Sequence, residues 1–212
     1  MRQKIRIGII TIGFIAGGVQ PWGNPLGQEV EMRREEKIRL VGIGEVDESL
    51  LIQLAGSIEG IFDVSVEIGQ LLPEPVYAYV PERKQYHSTR ILDEIIRQGN
   101  RKQKVLGVAD VDLFVPRLNF VFGEADLHNR AAVISLVRLR QSYYGLPENK
   151  KLFSQRTVKE AVHELGHTFG LGHCPNPGCV MFFSNSLADT DRKEDAFCPQ
   201  CRRRLAKGGF NR

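Results

Sequence analysis

The sequence predicts an α/β fold, in the wider sense α+β: a mixed sheet layered with helices, followed by an irregular C-terminal lobe. Three observations carry this. Strand-like and helix-like hydrophobic patterns alternate between residues 38 and 137. A long amphipathic helix pattern follows at residues 154–169. The four cysteines of the chain then all fall between residues 174 and 201, in a stretch without a regular hydrophobic period.

The elements follow in order. Residues 38–44 read as a short buried strand bounded by glycines. Asp47 is placed to cap a helix whose Leu50, Leu51, Leu54, Ala55, Ile58 and Ile61 share one face. Residues 64–68 alternate as a strand that Pro73 and Pro75 end. Ser88 is placed to cap a second helix carrying Ile91, Leu92, Ile95 and Ile96 and stopping at Gly99. A strand is expected over residues 105–114. Two adjacent strands are expected at 120–123 and 131–137, one of them an edge, with Gly-Glu-Ala-Asp between them. In the third helix, Val158, Ala161, Val162, Leu165 and Phe169 recur at helical spacing and should face the core.

With 212 residues, the chain suits one domain of two lobes around a cleft. A 42% hydrophobic and 25% charged composition is that of a soluble globular protein, and a net charge of +4 points to neither nucleic acid nor membrane. No apolar run reaches the ~18 residues of a membrane helix. Residues 1–36 read as a non-catalytic N-terminal extension, with Met32 a candidate true start. The basic residues Arg2, Lys4 and Arg6 before an apolar run leave a secretion signal open, though no Ala-x-Ala cleavage site follows. A cytoplasmic, monomeric protein is expected.

His163-Glu164-Leu165-Gly166-His167 falls on the third helix. Side chains four apart lie one above the other on a helical face, so both imidazoles can reach one metal ion. Glu164 projects beside them, placed to take a proton from metal-bound water. Gly170 can end the helix in a left-handed conformation, and the turn brings His173 round as a third ligand. Three imidazoles leave a tetrahedral ion one open position, as in catalytic zinc. Three of the five histidines sit in these eleven residues, which argues against chance. His87 and His128 have no such company and read as surface residues.

Cys174, Cys179, Cys198 and Cys201 form two short-spaced pairs, the pattern of a closed four-thiolate structural zinc site. Disulfides are an alternative. Redox work is disfavoured by the expected lack of a strand and helix around Cys-x-x-Cys. Because Cys174 follows His173 directly, this second metal would anchor the segment presenting the third ligand.

The extended pattern H-E-x-x-H-x-x-G-x-x-H is the metzincin signature. Continued as H-C-x4-C-x-M and then C-x-x-C, it resembles the archaemetzincins, a metzincin family. The likeness extends to Val-Gly-Ile-Gly-Glu-Val at residues 41–46 and Asn-Phe-Val-Phe-Gly-Glu-Ala at 119–125, and covers residues 37–204. It implies a mixed, mostly parallel sheet and helices over an active-site cleft (37–172), a smaller zinc-stabilised lobe below (173–204) and a tail at 205–212. It also implies a zinc metallopeptidase acting on peptides or proteins through zinc-activated water, with Glu164 as general base. Two zinc ions per chain are implied, one catalytic on His163, His167 and His173, one structural on the four cysteines. Met181 matches the methionine of the turn beneath the metal. One feature of many metzincins is missing: Phe182 and Phe183, not a tyrosine, follow Met181. Two rival readings share some of these motifs: a peptide-binding zinc protein with little activity, and a zinc-knuckle nucleic-acid module built on Cys198–Cys201 and Arg202–Arg204.

Overall fold

The computed structural model describes residues 36–98 and 103–207. The expected extension at 1–36, apart from Glu36, lies outside the described residues, as do Gly99 and the last five residues of the tail.

A five-stranded sheet forms the centre, in the order β2-β1-β5-β8-β7. Its strands are β1 (Lys37–Ile43), β2 (Ser65–Ile68), β5 (Lys104–Ala109), β7 (Gly123–Asp126) and β8 (Ala131–Ser135). β1 pairs in parallel with β2 and β5, β5 in parallel with β8, and β7 alone runs antiparallel, outside β8. Successive residues of the inner strands point to opposite faces and feed two cores. Ile38, Leu40, Leu106, Val108, Ala132 and Ile134 pack under α1 (Glu48–Phe62) and α3 (Lys150–Thr168). Val41, Ile43, Val105, Ala109, Ala131 and Val133 pack against α2 (Ser88–Gln98). Helices on both faces explain why these strands are apolar throughout.

Asp47 caps α1 as expected, its Oδ1 accepting from Ser49 N–H at 2.8 Å. α3 starts four residues earlier than expected, because Asn149 accepts from Leu152 N–H at 3.0 Å and nucleates the extra turn. Among the described residues no helix is long and apolar enough to cross a membrane.

Several expectations are corrected. Ser88 does not cap α2 from outside; it is the first helical residue, and its hydroxyl donates to the Phe114 carbonyl at 3.2 Å and to Glu124. The single strand at 105–114 is two, β5 and β6 (Leu113–Phe114), parted where Asp110 and Asp112 turn out to pair with Arg140 and Arg138. β6 joins β3 (Tyr79–Val80) and β4 (Gln85–His87) in a small second sheet that was not anticipated. The strand expected at 120–123 is shifted. Gly-Glu-Ala-Asp is itself β7, paired Gly123 to Ile134 through Asp126 to Ala131. Its acidic side chains have uses that explain this poor strand composition: Glu124 accepts from Thr89 Oγ1 at 2.9 Å, and Asp126 accepts from Asn129 N–H at 2.9 Å to close the hairpin turn. His87 is half-buried against the Phe114 ring rather than exposed, whereas His128 is on the surface. The C-terminal lobe is less irregular than expected, containing α4 (Leu187–Arg192) and α5 (Pro199–Ala206). α5 carries Leu205 into the core, so the expected tail begins inside a helix.

Candidate active site and thiolate cluster

His163 and His167 occupy the last two turns of α3, whose buried stripe includes Ala161, Val162 and Leu165, and His173 follows the helix. Gly170, at φ +85°, turns the chain back beneath the helix. The ring nitrogens of His163, His167 and His173 come within 4.8 Å of one another. His163 and His167 Nε2 are 3.1 Å apart, close to the about 3.3 Å edge of a tetrahedron with ~2.0 Å zinc–nitrogen bonds.

Two backbone carbonyls set the tautomers. His163 Nδ1–H donates to Val180 O and His167 Nδ1–H donates to Leu171 O, each at 2.8 Å. A carbonyl can only accept, so each Nε2 keeps its lone pair for the metal. Burial lowers the pKa of all three imidazoles, well below the usual value for His163, with Lys193 adding a like charge. The neutral, ligating form is the one favoured. His173 lies at the exposed end, its ring 4.8 Å from that of Phe183.

The histidines open into a cleft of about 910 Å³ between β7, the rim at residues 115–122 and the lower lobe. β7 is the outermost strand, and Gly123, Glu124 and Ala125 line the cleft. Arg83 pins the rim, donating to the Leu118 and Asn119 carbonyls at 2.9 Å each. Glu164 also lines the cleft, its pKa pushed up to about 8 by burial and by the charges of Glu160 and Glu124, with Lys193 opposing.

Two glycines make the packing possible. A Cβ on Gly123 would come within 2.5 Å of Glu164 Cγ and 2.8 Å of its Cδ and Oε1. A Cβ on Gly166 would collide with the Met181 sulfur and lie 3.1 Å from Met181 Cε. Met181 is fully buried beneath α3, in the same core cluster as Ala161, Val162 and Leu165.

Cys174, Cys179, Cys198 and Cys201 bring their sulfurs within 4.8 Å of one another, and none is in a disulfide. Cys174 and Cys198 Sγ are 3.8 Å apart. Two thiolates bonded to one tetrahedral zinc at ~2.3 Å would stand about 3.8 Å apart, and a disulfide about 2.05 Å. Burial opposes ionisation of Cys198, but hydrogen bonds from the Cys201 and Gln200 backbone and from neighbouring thiols bring it down to about 7. Cys179 and Cys201 are held up by burial. The expected lack of a helix beside Cys-x-x-Cys does not hold, since α5 begins at Pro199 with Cys198 as its N-cap. Convergence of all four thiols, rather than that absence, is what favours metal over dithiol exchange.

Sequence reasoning missed a polar group under the cleft. Glu160, one turn before His163 on the same face of α3, accepts from Thr190 Oγ1 at 2.9 Å and pairs with Lys193 Nζ at 3.0 Å. Glu160 was legible in its spacing from His163 and Glu164; Lys193 carried no signal.

Comparison with known proteins places the chain in a family. Residues 64–207 match the model of Peptidase family M54. The archaemetzincin of Methanocaldococcus jannaschii is 42% identical over 174 residues, covering 82% of this chain and 95% of the relative. The crystal structure of archaemetzincin from Methanopyrus kandleri superposes with a TM-score of 0.73 at 37% identity, covering 82% of this chain and 96% of that one. A zinc-dependent peptidase from Methanocorpusculum labreanum gives 0.74 at 30% identity, covering 79% and 99%. This chain therefore belongs to peptidase family M54, the archaemetzincins, and the protein is a zinc metallopeptidase.

Proposed function

We propose that this protein hydrolyses peptide bonds with Glu164 as general base and with His163, His167 and His173 as ligands of the catalytic zinc. Cys174, Cys179, Cys198 and Cys201 hold a second, structural zinc, giving two ions per chain. The observation that carries the reading is the convergence of three imidazoles, two of them oriented by backbone carbonyls, at the floor of an open cleft that Glu164 also lines. When bound at the histidines, zinc supplies Lewis-acid polarisation and makes a coordinated water acidic, with a pKa near ~7.

The chain's own groups do the rest. Glu164 takes a proton at its carboxylate and returns it to the leaving amine. Burial and the neighbouring Glu160 and Glu124 charges raise its pKa, which makes the carboxylate a stronger base. The outer edge of β7 faces the cleft and can align an extended peptide by strand addition. Phe182 and Phe183, not a tyrosine, follow Met181, so no phenol at these positions assists the oxyanion.

Glu164→Gln tests the assignment. The variant should retain zinc at both sites and lose hydrolysis of a peptide that the wild type cleaves. Substantial residual cleavage would remove Glu164 from the role of base.

A further inference from the structure

Glu160 and Lys193 form an ion pair whose side chains are 3% and 0% exposed. Thr190 and Lys193 both address the same carboxylate oxygen, Oε1. α4 is already fastened to α3 by other contacts: Arg156 Nε and Nη2 each lie 2.6 Å from Asp191, and Lys159 donates to the Thr190 and Asp191 carbonyls. Fastening alone gives no reason for Glu160 to line the cleft, yet it does so beside His163, Glu164 and His167. Among the described residues Thr190 and Lys193 contact only Oε1, and the second oxygen, Oε2, is not one of the fully enclosed atoms left without a partner, so it keeps an open side. Covering that oxygen with a ligand group that supplies no donor is costly.

We propose that Glu160 is a specificity-determining residue: Oε2 forms the floor of the subsite beside the metal-binding histidines and selects a substrate side chain bearing a neutral hydrogen-bond donor, above all the primary amide of Asn or Gln. This rests on the peptidase reading. The pair fixes the acceptor before substrate arrives, so the donor is met without reorganisation. An apolar side chain would bury Oε2 unpaired, and sites built to hydrogen-bond a group discriminate strongly against analogues lacking it. A lysine or arginine would instead be brought to within ~6 Å of the desolvated Lys193 ammonium, where like charges repel. The pair is already neutral as a unit, and a neutral donor suits it.

The test uses zinc-loaded full-length protein and three short peptide hydroxamates identical except for a Gln, Leu or Lys side chain beside the chelating group. Kd is measured by calorimetry. The Gln compound should bind about tenfold or more tighter than the Leu compound, and tighter than the Lys compound. The double variant E160L/K193M replaces the pair by apolar groups of similar volume, a change proteins tolerate; it should reverse the preference to Leu. If that variant does not fold, Glu160→Gln keeps the shape with a weaker, uncharged acceptor and should narrow the Gln-over-Leu ratio. Binding of Leu as tightly as Gln in the wild type, an unaltered ratio in the folded variant, or no binding of any compound would overturn the proposal. Cleavage of the matching peptides is measured alongside. Selectivity without cleavage supports the subsite and counts against hydrolysis, and cleavage without selectivity does the reverse.

Discussion

Gly123→Ala is a small change in the edge strand with a large expected effect on turnover. The new methyl would stand 2.5 Å from Glu164 Cγ and 2.8 Å from Cδ and Oε1, where ordinary contact begins at 3.4 Å. Something must therefore move by about 0.9 Å. β7 is poorly placed to yield: all four of its residues pair with β8, Ser135 N–H donates to Phe122 O at 2.8 Å, and Glu124 is tied to Thr89. The Glu164 side chain, 7% exposed between strand and helix, gives way instead. A misplacement of about 1 Å in a reacting group costs on the order of 10²-fold, or about 2.7 kcal/mol of barrier at 1.36 per decade. The assay is kcat and KM on a peptide that the wild type cleaves, with zinc content and melting temperature on the same samples. The loss should appear in kcat, with the zinc content of wild type retained. Gly123→Ala should add little in a Glu164→Gln background, because the two changes act through the same group. Activity within threefold of wild type, or a loss traced to missing zinc, would refute this account of the glycine.

Two further expectations concern the supports of α3. Gly166→Ala drives a methyl into Met181 and toward Phe197 Cε1 at 3.4 Å. Overpacking on the order of 1–3 kcal/mol should outweigh the ~1 kcal/mol helix-propensity gain, and an unchanged or raised melting temperature would sink that estimate. Lys104 is 4% exposed, its ammonium donating to Thr168 O at 3.0 Å at the end of α3 and lying 4.1 Å over the Phe169 ring. Burial, with Arg130 nearby, lowers its pKa from 10.5 to about 8 although Glu36 opposes. The folded value is below the unfolded one, so the unfolded chain holds the extra proton between about pH 8 and 10.5, and stability rises across that window. Denaturant titrations of wild type and Lys104→Met should diverge there in favour of wild type; parallel pH curves would show that Lys104 contributes no such slope.

The catalytic motif was readable because its information is local. A spacing of four residues on a helix and a glycine that ends it place three imidazoles with little help from distant chain. The parallel core was readable for a similar reason, since strands covered on both faces are apolar throughout. What escaped was set by partners far along the chain. Gly-Glu-Ala-Asp has a loop's composition, and it is a strand because Ser88, Thr89 and Asn129 engage its carboxylates while β8 supplies the ladder. β3 and β4 are two and three residues long, too short to show a period. Lys193 gives no hint of being fully buried, because only Glu160, 33 positions earlier, makes that tolerable. α5 was hidden for another reason: a proline and three arginines read as loop and tail, whereas proline at N1 favours a helix start.

The two proposed metal sites share one segment, and the sharing is unequal among the histidines. His167 is oriented by Leu171, within the turn that closes α3 itself. His163 is oriented by Val180, which lies between Cys179 and Met181. That carbonyl is held from the thiolate side: Cys198 N–H donates to Cys179 Sγ at 3.3 Å, Val180 N–H donates to Ala196 O at 3.0 Å, and Cys174 N–H donates to Met181 O at 2.8 Å. His173 is bonded directly to Cys174. Two of the three proposed ligands thus depend on the cysteine cluster for their aim. Outer-shell partners of ligating histidines are worth about 10–100-fold in metal affinity. Cys201→Ser should therefore do more than release one zinc: competition with a chromogenic chelator should show the remaining, histidine-bound zinc held about tenfold or more weakly. If the variant kept wild-type affinity at the histidines after losing the thiolate-bound ion, the lower lobe would be a passive cover, and α3 alone would set the geometry of the catalytic site.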